Sequence, residues 1–229
     1  MAVDYEILVK GNNVRLSCGY VGLANLTLLK TEGGPIMFDV GHTVNRQGLE
    51  AGLKARGLAP ADVPQVFLSH LHVDHVMNIG IFPFSTKVYV SRAEWDYVAN
   101  PHPEDPWVPW LIREQLQKYD LQLIEGEGEL VSGVRYFPVP GHTPGCTALV
   151  FDTKDKGRVV LAGDALKFPR EMLQQGADHA FDSHENASAS IRLILSIADR
   201  IVPGHFPEMI RRGDTFLWDE PAELTLYMR

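Results

Sequence analysis

The stretch Ser69-His70-Leu71-His72-Val73-Asp74-His75 decides how this chain is read. Imidazoles and a carboxylate crowded into so short a segment are not what packing selects, because such groups are costly to bury unless they are paired or bind a cation. The residues just before it, Gln65-Val66-Phe67-Leu68, form a short apolar run that reads as a buried strand. The histidines therefore stand where a strand gives way to a loop, the usual place for functional groups on a rigid scaffold.

The same arrangement recurs downstream. His142 lies in Pro140-Gly141-His142-Thr143-Pro144-Gly145, Asp164 in Leu161-Ala162-Gly163-Asp164, and His205 in Val202-Pro203-Gly204-His205. Each follows an apolar run and sits on or beside a glycine, where the chain can turn tightly. Strand, turn, then His or Asp is a pattern, and its repetition says more than any one motif.

In this series the chain resembles the metallo-β-lactamase superfamily. HLHVDH, GHTPG, GD and GH occur in that family's order, from about Leu16 to Met209. Asn78-Ile79-Gly80-Ile81-Phe82-Pro83 and Ala198 to His205 look most like its small single-domain branch, typified by metallo-β-lactamase domain-containing protein 1, and like the glyoxalase II branch. The resemblance implies an αββα four-layer sandwich, two mixed sheets flanked by helices, with residues 1–229 as one domain. It implies two divalent metal ions, zinc first with iron or manganese as alternatives. His70, His72 and His142 correspond to the first metal site, Asp74, His75 and His205 to the second, and Asp164 to the bridging carboxylate. Asp39, in Met37-Phe38-Asp39-Val40-Gly41, matches a strand-ending aspartate that supports the site from behind its ligands.

That ligand set implies a hydrolase. Two metals about 3.5–4 Å apart hold a bridging water, lower its pKa and aim the hydroxide at a carbonyl or phosphoryl centre. Asp74 is the expected proton acceptor. Asp164 stands where some β-lactamases have cysteine, which favours a small ester, thioester or lactone over a lactam. Lactonases of the superfamily carry a tyrosine shortly after the bridging aspartate, and Ala165-Leu166-Lys167-Phe168-Pro169 has none. Thioesters, whose leaving group needs no acid, are thereby favoured over homoserine lactones. The competing readings are a phosphodiesterase or nuclease with the same metals, a mononuclear iron persulfide dioxygenase using His72, His142 and Asp164, and a binding module without catalysis.

Composition narrows the partners. With 29 acidic and 21 basic residues the net charge is −8, which disfavours nucleic acid, whose binding relies on basic side chains at the phosphates. The 45% hydrophobic content suits a globular domain, and no apolar run is long enough to span a bilayer. No secretory signal precedes the first strand. Cys18 and Cys146 read as buried free thiols in a reducing cytoplasm. The expected partner is a small-molecule substrate.

Strands are predicted at Tyr5 to Lys10, Val14 to Cys18, Asn25 to Lys30, Pro35 to Val40, Thr86 to Val90, Leu121 to Ile124, Val131 to Val139, Thr147 to Asp152 and Arg158 to Ala162. Helices are predicted at Val44 to Arg56, after Ser91, from Pro109 to Tyr119, and from His184 to Asp199. Ser91 and Glu94 have capping-box spacing. The segment Asn100 to Trp110 holds four prolines and cannot be regular. It is expected to border the pocket mouth. His42, Trp107, Trp110 and Phe168 are the expected substrate contacts, with a homodimer interface as the alternative role for the two tryptophans.

Overall fold

The computed structural model describes residues 3–221, so residues 1–2 and 222–229 of the expected domain lie outside the described residues. The chain forms β1 (Asp4–Val9), β2 (Arg15–Leu16), β3 (Gly19–Tyr20), β4 (Leu26–Thr31), β5 (Gly34–Phe38), α1 (Arg46–Lys54), β6 (Gln65–Phe67), α2 (Val73–Val76), β7 (Lys87–Ser91), α3 (Arg92–Tyr97) and α4 (Ile112–Leu116). There follow β8 (Asp120–Ile124), β9 (Gly128–Val131), β10 (Val134–Pro138), β11 (Thr147–Thr153), β12 (Gly157–Gly163), α5 (Pro169–Gln174), α6 (His184–Ile197), β13 (Arg200–Pro203), β14 (Met209–Arg212) and β15 (Thr215–Leu217).

Two large sheets result. The first runs β1-β4-β5-β6-β7-β8 and the second β15-β14-β13-β12-β11-β10-β9. Both are mixed: β5 to β8 are parallel neighbours, as are β12 and β13, and the remaining pairs are antiparallel.

Strand alternation explains the four layers. Along β12, Val159 and Leu161 face the other sheet and pack with Leu29, Ile36, Phe38, Phe67 and Val202, whereas Val160 and Ala162 face α5 and α6 with Ile191, Ile194 and Met172. Along β4, Leu29 joins the inter-sheet core while Leu26 and Leu28 pack toward α1 with Leu49 and Leu53. Both faces of each central strand are thus covered, which is why these strands read as continuous apolar runs rather than alternating ones. Each Leu or Ile so buried contributes roughly 1.5–3 kcal/mol.

The predicted elements are found with three corrections. Val131 to Val139 is two strands, β9 and β10, separated by a turn in which Gly133 takes φ 83°, a conformation open mainly to glycine. Val14 to Cys18 belongs to neither large sheet and instead forms the small β2–β3 hairpin. The helix expected from Pro109 is cut to Ile112–Leu116, because Leu111 adopts a left-handed φ of 58° at its start. Cys18 is exposed rather than buried, and Cys146 is buried. No helix among the described residues is long and apolar enough to cross a membrane.

Candidate metal centre

Topology brings the motif segments to one edge. Asp39 follows β5 and His70 follows β6, two parallel strands. Asp164 follows β12 and His205 follows β13, again a parallel pair. β10 is antiparallel to β11, itself antiparallel to β12, so the segment bearing His142 leaves its strand at the same edge.

The seven expected donors meet there. His70, His72 and His142 form one cluster, His70, His75 and Asp164 another, and Asp74, His75 and His205 a third, each with donor atoms within 4.8 Å of one another. Asp164 stands between them. Its Oδ1 lies 3.2 Å from Nε2 of both His75 and His205, and its Oδ2 lies 3.4 Å from His142 Nε2. Asp74 Oδ2 is 3.3 Å from His205 Nε2.

Each imidazole is held from behind. His75 Nδ1 donates to Asp39 Oδ2 at 2.8 Å. His70 Nδ1 lies 3.0 Å from the Ser69 hydroxyl, which itself donates to Asp39 Oδ2 at 2.8 Å. His142 Nδ1 donates to the His179 carbonyl, and His205 Nδ1 to the Leu23 and Asn12 carbonyls. His72 is reversed: its Nε2 donates to Asp105 Oδ2 at 2.9 Å, leaving Nδ1 to face the cluster. A neutral imidazole that donates from one nitrogen offers a lone pair at the other. In the cluster of His70, His72 and His142 the inward nitrogens are therefore acceptors crowded against acceptors; His72 Nδ1 and His142 Nε2 are 3.0 Å apart.

Among the described residues, His70 Nε2, His75 Nε2 and Asp164 Oδ1 are buried without any hydrogen-bond partner. Buried polar atoms are seldom left so, and cations are what this array of lone pairs fits. Burial pushes the His70 and His142 imidazoles well below their ordinary range, keeping them neutral. Burial also disfavours the charge on Asp164, yet His205 and His75 hold its carboxyl well below the usual range, and Asp164 with Asp74 raises both of those imidazoles in return, against their own burial. Asp39 pays for its position with a φ of 57°, strain of the sort that persists where the surroundings over-determine a residue.

Beside the donors lies a cavity of about 430 Å³. His42, Trp107 and Phe168 line it, as expected, together with Val21, Leu23 and Val44. Trp110 does not: it is 87% exposed and borders a separate surface hollow beside α4. The loop from Asn100 to Trp110 thus turns one tryptophan inward and the other out.

Sequence reading missed three residues here. Tyr20, on the β2–β3 hairpin, lines the cavity, packs edge-on against Trp107 and meets the His205 ring at 6.4 Å. Burial, then Asp164 and Asp74, push its phenol well above the usual range. Lys167 is a buried cavity residue whose Nζ lies 2.8 Å from Glu171. Asp105 reaches His72 from the proline-rich loop. Tyr20 and Asp105 have no local spacing signal, since they are recruited across long stretches of chain, whereas Lys167 follows Asp164 by three residues.

Comparison with known proteins identifies the family. The profile of the Metallo-beta-lactamase superfamily matches residues 19–205. An N-acyl homoserine lactonase from Bacillus sp is 33% identical over 216 residues, covering 82% of this chain and 83% of that protein. Metallo-beta-lactamase domain-containing protein 1 from Xenopus laevis is 33% identical over 184 residues, covering 78% and 70%. Among solved structures, a variant of the Bacillus thuringiensis protein AiiA with N-decanoyl-L-homoserine bound at its active site superposes with a TM-score of 0.69 at 22% identity, over 89% of this chain and 92% of that one. The chain belongs to the metallo-beta-lactamase superfamily and is a metal-dependent hydrolase.

Proposed function

We propose that this protein is a dinuclear metallohydrolase that opens a small acylated ester, with a lactone ring as the leading substrate class. The observation that supports it is the array of imidazole and carboxylate donors, with His70 Nε2, His75 Nε2 and Asp164 Oδ1 buried without a hydrogen-bond partner, at the edge of an apolar cavity. In this reading His70, His72 and His142 hold one cation, Asp74, His75 and His205 hold the other, and Asp164 bridges them. The nitrogen and oxygen donors, without a thiolate, suit zinc, with iron or manganese as alternatives. When bound, such a pair supplies a water that ionises near neutral pH and a Lewis acid for the scissile carbonyl.

The chain's own groups do the rest. Asp74, partly exposed where the other donors are buried, faces the cavity and accepts the proton of the attacking water. Val21, Leu23, Val44, Trp107 and Phe168 offer an apolar wall for an acyl chain. Tyr20 keeps its proton at neutral pH and can give it to the departing oxygen. The tyrosine absent after Asp164 in sequence is in this reading replaced by one from another segment, and the sequence argument against lactones loses its force. Relatives named as N-acyl homoserine lactonases, 30–33% identical over most of the chain, favour the same ranking. Unpaired Cys18 and Cys146 suit a reducing compartment such as the cytoplasm.

The test is metal analysis beside a panel of an acyl homoserine lactone, a thioester, a β-lactam and a phosphodiester. Two metals per chain and fastest turnover of the lactone are expected. One metal or none after reconstitution would defeat the dinuclear reading, and fastest cleavage of the phosphodiester would replace the substrate class.

A further inference from the structure

The proline-rich loop between α3 and α4 contributes more than a wall. The Asp105 side chain is fully buried, and three donors converge on it. His72 Nε2 donates to Oδ2 at 2.9 Å, the Tyr97 hydroxyl donates to the same oxygen at 2.5 Å, and the Trp107 amide donates to Oδ1 at 3.0 Å. A second tie joins the same two segments: the amide of Val73, next to His72, donates to the Trp107 carbonyl at 2.9 Å. Trp107 is thus fixed at both its amide and its carbonyl, with its ring in the cavity against Tyr20.

His72 is the donor that most needs such a partner. The other four imidazoles point Nε2 inward and are anchored through Nδ1 on Asp39, on Ser69 or on backbone carbonyls. His72 points Nδ1 inward, so its tautomer and ring angle depend on what receives the Nε2 proton, and that is Asp105. A carboxylate in that place also raises the electron-donating strength of the ring.

We propose that Asp105 is a positioning residue that fixes the coordinating nitrogen of His72 and, through Trp107, couples the aromatic wall of the substrate cavity to the metal centre. The proposal rests on the metal-centre reading above. It assigns the loop a role in metal affinity, where a simple wall would affect substrate alone.

The experiment is chelator-competition titration of zinc, with the visible spectrum of the cobalt-loaded protein as a second readout, on wild type, Asp105→Asn and Tyr97→Phe. In D105N one of the two metals should bind about 10- to 100-fold more weakly, with an altered cobalt spectrum, while the other stays within about threefold. Y97F, which leaves the carboxylate in place, should weaken the same metal by about three- to tenfold; it carries the test if D105N does not fold. D105N or Y97F binding both metals as wild type does, with only KM changed, would overturn the proposal and leave the metal centre standing. A wild type that takes up no metal would overturn both.

Discussion

Gly204 gives the sharpest test of the site, because its replacement by alanine changes no donor and no charge. A Cβ on Gly204 would stand 2.1 Å from Asp164 Oδ1 and 3.0 Å from the Gly163 carbonyl oxygen. The glycine cannot retreat: its amide donates to the Leu166 carbonyl at 3.0 Å and its carbonyl accepts from the Asn25 amide at 2.7 Å. The Asp164 carboxylate, held by ionic contacts rather than by backbone, is what must move, and by about 1 Å to restore van der Waals separation. Misplacement of that size at a reacting centre costs about 100-fold, or about 2.7 kcal/mol of transition-state stabilisation. Overpacking should lower stability by about 1–3 kcal/mol, a loss the domain can survive. Gly204→Ala should therefore fold, with a circular-dichroism spectrum like wild type, yet lose about 100-fold in kcat/KM and bind its second metal poorly by elemental analysis. A variant with both metals and kcat/KM within about threefold of wild type would refute the placement of Asp164 between the two clusters.

Asp74→Asn should keep the fold and lose at least about 100-fold in kcat, since an amide neither accepts the proton nor ligates as a carboxylate does; activity within about threefold at full metal loading would remove Asp74 from the mechanism. Trp107→Ala should raise KM more than it lowers kcat, as loss of uniform binding does, whereas Trp110→Ala, outside the cavity, should leave both unchanged; a KM effect from Trp110 alone would contradict the observed geometry. Tyr20→Phe should lower kcat about tenfold or more on an alkoxide-releasing lactone and much less on a thioester, and equal effects on both would assign Tyr20 to the wall alone.

The expected metal ligands were legible because each problem is local. A donor that must sit rigidly at a strand end shows as an apolar run, a turn and a His or Asp, and HLHVDH, GHTPG, GD and GH each carry that pattern within a few residues. Apolar runs likewise announced the central strands, since strands covered on both faces need no polar alternation. Elsewhere local signals were right in part. Ser91 caps α3 by accepting from the Glu94 amide, but the Glu94 carboxylate leaves the capping box and accepts from the Leu71 amide and the Thr143 hydroxyl. Two motif loops needed a buried acceptor more than the helix end did.

What surrounds the site was decided by tertiary structure. Asp105 meets His72 across 33 residues and Leu23 meets His205 across 182. Tyr20 comes to the cavity on a hairpin of which the sequence predicts only the first arm, within Val14 to Cys18, and only the fold of the loop turns Trp107 inward and Trp110 out. A sequence records the residue types that a strand end requires, because neighbours along the chain impose them. It does not record which distant carboxylate, phenol or carbonyl arrives at the outer side of an imidazole, because that depends on how two sheets are packed face to face.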